Sequence, residues 1–199
     1  MGNAFTILTV CTGNICRSPM GEIVLRKRIS EAGLSGIKVA SAGVSAEENG
    51  HNIDPRARKV LAAAGYSVPV RHRAHRATEA ELHGADLILA MTAGHARRLA
   101  PMVERAGGDL SCIHLWREFD GTVPYAPHGV FGTGGALASD RESISSRRSD
   151  DFADLYSSHG KLDVPDPWYG SQEDFIATLR IIETGAPAII STVTQKLQA

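Results

Sequence analysis

The sequence predicts an α/β fold, a parallel sheet wrapped by helices, and two observations carry that expectation. Short apolar, β-rich runs alternate with longer stretches of helical periodicity, an order that places crossover helices between parallel strands. The chain has 199 residues and is 43 % hydrophobic, enough for one core and close to the globular average. One domain over residues 1–199 is the expected organisation.

Ala4 to Val10 is the first expected strand, an apolar run that stops at Cys11-Thr12-Gly13-Asn14. The helix after it has Ser18 as its expected N-cap and Pro19 at its first position, with Met20, Ile23 and Val24 on an apolar face and Gly33 as its stop. Ile37 to Ser41 reads as a second strand, and Asp54-Pro55 opens a helix through Ala57, Val60, Leu61 and Ala64 that Gly65 ends. Thr78-Glu79-Ala80-Glu81 is a capping-box pattern. Asp86 to Met91 is the third strand, Ala93 to Ala106 a helix that Pro101 should end or kink, and Leu110 to Leu115 the fourth strand.

Glycine, serine and charge dominate from about Asp120 to Gly160, so this part reads as a long, partly mobile insertion. It is either a surface loop without a role or a lid facing the substrate, with Phe152, Leu155 and Tyr156 hinting at a small helix. Ser171 with Asp174 then repeats the capping pattern ahead of Phe175, Leu179, Ile182, Ile189, Val193 and Leu197 at helical spacing. That is the closing helix, with a kink expected near Glu183 to Pro187.

Lysine and arginine total 21 against 22 acidic residues, so no overall field draws the chain to nucleic acid or an acidic membrane. Apolar runs read as too short for a membrane span, and MGNAFTILTV lacks the features of a secretory signal. The three cysteines are odd in number and fit free thiols in a reducing, cytoplasmic setting. The eight histidines, His72 and His75 included, lack metal-site spacing, so no metal or other cofactor is expected.

The chemistry concentrates in Cys11-Thr12-Gly13-Asn14-Ile15-Cys16-Arg17-Ser18, a thiol at a strand's end, five loop residues, an arginine and a helix start. Gly13 and Asn14 tolerate left-handed backbone angles, so residues 12–16 can curl and aim their amide hydrogens inward as an anion nest. The helix dipole adds to that positive potential, and a phosphate, sulfate or vanadate would sit there. Facing the nest and Arg17, the sulfur of Cys11 is expected to act as a thiolate nucleophile. The planar fork of Arg17 can hold two phosphoryl oxygens through a trigonal transition state, and Ser18 can donate to the departing thiolate.

A leaving oxygen needs a proton, and Asp163-Val164-Pro165-Asp166-Pro167-Trp168-Tyr169-Gly170 offers Asp166 as general acid and then base, with Asp163 the second candidate. Trp168 and Tyr169 could wall a pocket for an aromatic ring. Cys16 either packs or forms a protective disulfide with oxidised Cys11, and Cys112 reads as core.

CTGNICRSP and DPWYG together resemble the two signatures of the low-molecular-weight protein-tyrosine phosphatases. Ser41-Ala42-Gly43, Asp54-Pro55-Arg56-Ala57 and Ala85 to Met91 extend the likeness over most of the chain outside the insertion. The resemblance implies a four-stranded parallel sheet flanked by helices on both faces, no metal, and hydrolysis of phosphotyrosine on proteins through a cysteinyl-phosphate. It further implies that Asn14 and Ser41 hold the loop's shape, and that the partners are a tyrosine-phosphorylated protein and a tyrosine kinase. Ser45 to Gly50 differs from the family, whose members often carry an aromatic or bulky apolar residue shortly after Ser-Ala-Gly. A thiol-dependent arsenate reductase, a protein-arginine phosphatase and an inactive phosphotyrosine-binding module are the competing readings. Ile15, where arginine phosphatases typically carry threonine, favours tyrosine.

Overall fold

The computed structural model describes residues 4–144, 155 and 160–198. Four parallel strands form one sheet: β1 Phe5–Cys11, β2 Ile37–Gly43, β3 Leu87–Ala90 and β4 Ile113–Leu115, in the order β2-β1-β3-β4. Helices α1 Arg17–Glu31, α2 Pro55–Ala63, α3 Glu79–His83, α4 Ala93–Arg105 and α5 Gln172–Gln198 accompany them.

Side chains alternate along the strands and sort the core into two layers. Ile7, Leu87 and Leu89 join α1, α2 and α5 on one face, whereas Leu8, Val10, Ile88 and Ala90 join α3 and α4 on the other. Helices therefore cover both faces, and the central strands are apolar on both sides because neither side meets water. The chain leaves β1 toward β2 and later returns across it to β3, so β1 marks the switch in winding direction. A crevice opens at such a point beyond the carboxyl ends of the strands.

Several boundaries differ from the sequence reading. Leu110–Cys112 is a 3-10 turn capped by Asp109, whose side chain accepts from the Ser111 N–H, so only Ile113–Leu115 is strand. Of the two outcomes open at Pro101, an end or a kink, the helix does not end there: α4 runs on through Pro101, and α5 contains Pro187 as expected. Ser18 is not the N-cap of α1; Cys16 holds that position without a side-chain cap, and the Ser18 hydroxyl turns to the sulfur instead. The two capping-box expectations fare better. Thr78 and Glu81 exchange both bonds, and Asp174 accepts from the Ser171 N–H.

Gln172–Gln198 is long and apolar enough to cross a membrane, with mean hydropathy 1.3 over its most apolar window. Its apolar stripe of Phe175, Leu179, Ile182, Ala186, Ile189 and Val193 is buried in the core, against α1 and α2.

Residues 120–144 of the expected insertion pack down. Val130, Phe131, Leu137 and Ile144 are buried in the α3/α4 layer, and the Val130 N–H donates to Ile113 at 2.8 Å. Gly129 has φ +79, and a Cβ there would lie 2.8 Å from Ser111, so the glycine is required. Leu155 is buried in the same layer; the helix expected around it otherwise lies outside the described residues.

Candidate active site

Cys11 ends β1 at the switch point, and residues 12–16 loop from it into α1. Five carbonyls of this stretch turn outward to protein donors. Cys11 and Thr12 accept from Val44 and Ser45 at 2.9 and 3.0 Å, Ile15 from Asp54 at 2.9 Å, and Cys16 from Met20 at 3.2 Å. Asn14, the one non-glycine residue of positive φ among the described residues, accepts on its carbonyl from His72 Nε2 at 2.8 Å. With the carbonyls engaged outside, the amides of Gly13, Asn14, Ile15 and Cys16 donate to no protein acceptor among the described residues. Carbonyls out and amides in is the geometry of an anion nest.

Side chains brace the loop from beneath. Asn14 Nδ2 donates to both Ser18 Oγ and Ser41 Oγ at 3.0 Å, and Ser41 in turn donates to Glu22 at 2.5 Å. Ser18 Oγ lies 3.1 Å from Cys11 Sγ and 3.1 Å from the Ala42 carbonyl. Its single proton can serve one of them at a time, the carbonyl when Cys11 is a thiol and the sulfur when Cys11 is a thiolate. Burial, and next the charge of Cys11 beside it, push the Cys16 thiol far up, so Cys16 stays protonated and is a poor nucleophile. Cys112 is pushed up to about 12, chiefly by burial, and packs against the α3/α4 layer.

Arg17 is 4 % exposed and reaches across the crevice: one terminal nitrogen donates to the Val164 carbonyl at 3.3 Å, the other to Asp166 Oδ2 at 2.8 Å. Asp166 also accepts from the Trp168 N–H. A cavity of about 100 Å³ opens above the loop. Cys11, Thr12, Gly13, Ile15, Cys16 and Arg17 line its floor, Glu47 and Glu48 one wall, and Asp166, Trp168 and Tyr169 the other. Asp163, the second candidate acid, faces elsewhere: it is 9 % exposed, accepts from the Ala93 N–H at 2.9 Å and does not line the cavity.

Four contributors escaped the sequence reading: Glu22, Arg56, His72 and His95. Arg56 pairs with Asp54 at 3.0 Å, donates to the Gly170 carbonyl and lies over the Trp168 ring, fastening the loop that carries Asp166 to α2. His95, on the buried face of α4, meets Thr12 Oγ1 at 2.9 Å. A histidine amid the apolar positions Ala96, Leu99 and Ala100 was the available signal, since a buried polar ring needs a partner.

A buried thiol and arginine stand over an amide nest at the sheet's switch point, the class of site that suits an oxyanion. The profile of the low molecular weight phosphotyrosine protein phosphatases matches residues 6–125. The low molecular weight protein-tyrosine-phosphatase of Streptomyces coelicolor is 32 % identical over 198 residues, 98 % of this chain and 96 % of that one. The YfkJ structure from Bacillus subtilis superposes with a TM-score of 0.70 at 25 % identity, covering 98 % of both chains. The YwlE arginine phosphatase from Geobacillus stearothermophilus shares the fold, with a TM-score of 0.66 at 23 % identity over 96 % of this chain and 94 % of that one. The chain belongs to the low molecular weight protein-tyrosine phosphatase family, and is thus an enzyme of the hydrolase class.

Proposed function

We propose that the chain hydrolyses phosphotyrosine on proteins through a phosphoryl-Cys11 intermediate. The observation that carries this reading is the loop itself, where the carbonyls of Cys11, Thr12, Asn14, Ile15 and Cys16 are held by protein donors around a buried sulfur and guanidinium. A phosphate dianion would take the fork of Arg17 and release Asp166 from its resting pair. Cys11 Sγ then forms a bond to phosphorus as the bond to the tyrosyl oxygen breaks, and protonated Asp166 gives that oxygen its proton. In the second step Asp166 takes a proton from water, the water oxygen bonds to phosphorus, and the sulfur leaves as thiolate with the Ser18 hydroxyl donating to it.

Thr12 to Cys16 supply the phosphate cradle, Ser41 supports it through Asn14, and Trp168 and Tyr169 flank the ring. Ile15 lines the floor, and its bulk supports an aryl phosphate over phosphoarginine. Arsenate reduction needs relay thiols, whereas Cys16 is held protonated and Cys112 packs in the α3/α4 layer. Free phosphate, sulfate or vanadate would compete for the loop. A tyrosine kinase that makes the substrate is the expected second partner, and the free thiols fit a cytoplasmic site of action.

Cys11→Ser tests the assignment: it should abolish aryl phosphate turnover while the folded protein still binds vanadate. Turnover persisting within about tenfold of the parent would remove Cys11 from the nucleophile's role.

A further inference from the structure

We propose that His95 is a positioning residue of the nucleophile loop: donating from Nε2, it holds Thr12 Oγ1 so that the hydroxyl's own hydrogen faces the bound phosphoryl group. The inference rests on the phosphatase reading and adds a donor to the cradle from outside the Cys11–Ser18 stretch.

His95 is fully buried on the first turn of α4, with Nε2 2.9 Å from Thr12 Oγ1. Its Nδ1 has no hydrogen-bond partner among the described residues. A buried N–H without an acceptor is a worse defect than a bare lone pair, so the ring proton belongs on Nε2. The imidazole then donates, and the Thr12 oxygen accepts. Thr12 keeps its own O–H for another acceptor, and it lines the cavity beside Cys11. No protein acceptor for that hydrogen is found among the described residues, whereas a phosphoryl oxygen on the loop would be one.

The ring keeps this role because it stays neutral. Burial, and secondarily the positive charge of Arg17, hold His95 well below the usual histidine range. An imidazolium would place a second cation beside Arg17 in a dry site. The surrounding backbone makes the anchor stiff. Thr92 accepts from the His95 N–H at 3.1 Å, Ala93 donates to Asp163, and the Met91 carbonyl accepts from Val164 at 2.8 Å. Residues 91–95 thus bracket the acid loop on one side and the nucleophile loop on the other.

The test is vanadate inhibition of aryl phosphate turnover in His95→Leu, His95→Gln, Thr12→Val and the His95→Leu/Thr12→Val double variant. Leucine removes the donor; glutamine keeps a donor at similar reach. Vanadate should bind about tenfold more weakly to His95→Leu and to Thr12→Val, within about threefold of the parent to His95→Gln, and no worse to the double variant than to either single one. Equal losses in the leucine and glutamine variants, losses that add in the double variant, or unchanged binding in Thr12→Val would each overturn the inference. Should His95→Leu fail to fold by circular dichroism, the contrast between Thr12→Val and His95→Gln decides alone. A parent protein that neither binds vanadate nor turns over aryl phosphate would overturn the phosphatase reading together with this inference. A competent parent with insensitive variants would overturn this inference alone.

Discussion

Arg17 and Asp166 form a pair at rest that the proposed reaction must take apart. The carboxylate is partly solvated, with 38 % of its side chain exposed, so the pair is a modest restraint that a phosphate dianion can replace. Asp166→Ala leaves the fork free yet removes the proposed proton donor. Turnover of phenyl phosphate should fall about 100-fold or more, and turnover of a nitrophenyl ester much less, because a good leaving group needs little protonation. Equal losses on both esters would contradict the acid role. His95 supplies a second residue-scale expectation, on stability. Its folded-state value is depressed, whereas in the unfolded chain histidine titrates at about 6.5. Below that pH the unfolded state binds the extra proton, so stability is full above it and lost as pH falls, by about 1.4 kcal/mol per unit. His95→Gln should therefore lose less urea resistance than the parent between about pH 7.5 and 5.5. Equal losses would mean that the ring protonates freely. Residues near one another in sequence are legible as neighbours at this scale: Cys11, Arg17 and Ser18 belong to one short stretch, and the structure gathers them at one loop. His72, His95 and Glu22 are not, because each reaches the loop only through the fold, and a lone histidine or glutamate carries no local pattern.

The same divide governs the elements. Strands and helices with continuous apolar periodicity, β1, β3 and α5 among them, were placed within a residue or two, since burial on fixed faces leaves a repeating trace. At Pro101 local propensity allows an end or a kink, and tertiary packing, which sequence does not display, decides that the helix continues. Val103 and Ala100 beside Pro101, and Ala186 and Ile189 beside Pro187, are buried, and that burial outweighs one missing hydrogen bond. Ser18 misled because a hydroxyl near a helix start can cap it or serve the sulfur. Residues 120–144 looked like surface because their apolar residues are sparse and separated by glycines. Phe131 is nonetheless 1 % exposed in the α3/α4 layer. Phe131→Ala should cost about 3–5 kcal/mol in denaturant unfolding, as a core cavity does. A loss under about 0.5 kcal/mol, the range of surface changes, would show that this segment is an appendage.

At the scale of the molecule, the order β2-β1-β3-β4 puts one strand's end where two winding directions part, and Cys11, the proposed nucleophile, sits there. Everything else converges on that point. α1 begins at it, β2 braces it through Ser41, α4 reaches it through His95, and the segment between Asp163 and Gly170 closes over it. The parallel sheet was legible from alternation, and its count of strands from the family resemblance. Which loops meet over Cys11 was not legible from the residues alone, because crossover topology joins segments some 150 positions apart, as Arg17 and Asp166 are. The central claim, that sulfur carries the phosphoryl group between substrate and water, is tested most directly by trapping it. Acid-quenched mass spectrometry during aryl phosphate turnover should find a phosphoryl adduct on the peptide that carries Cys11, absent in Cys11→Ser and accumulating when water attack is slowed in Asp166→Ala. Turnover at full rate with no adduct on that peptide, or with the adduct on another residue, would contradict the account.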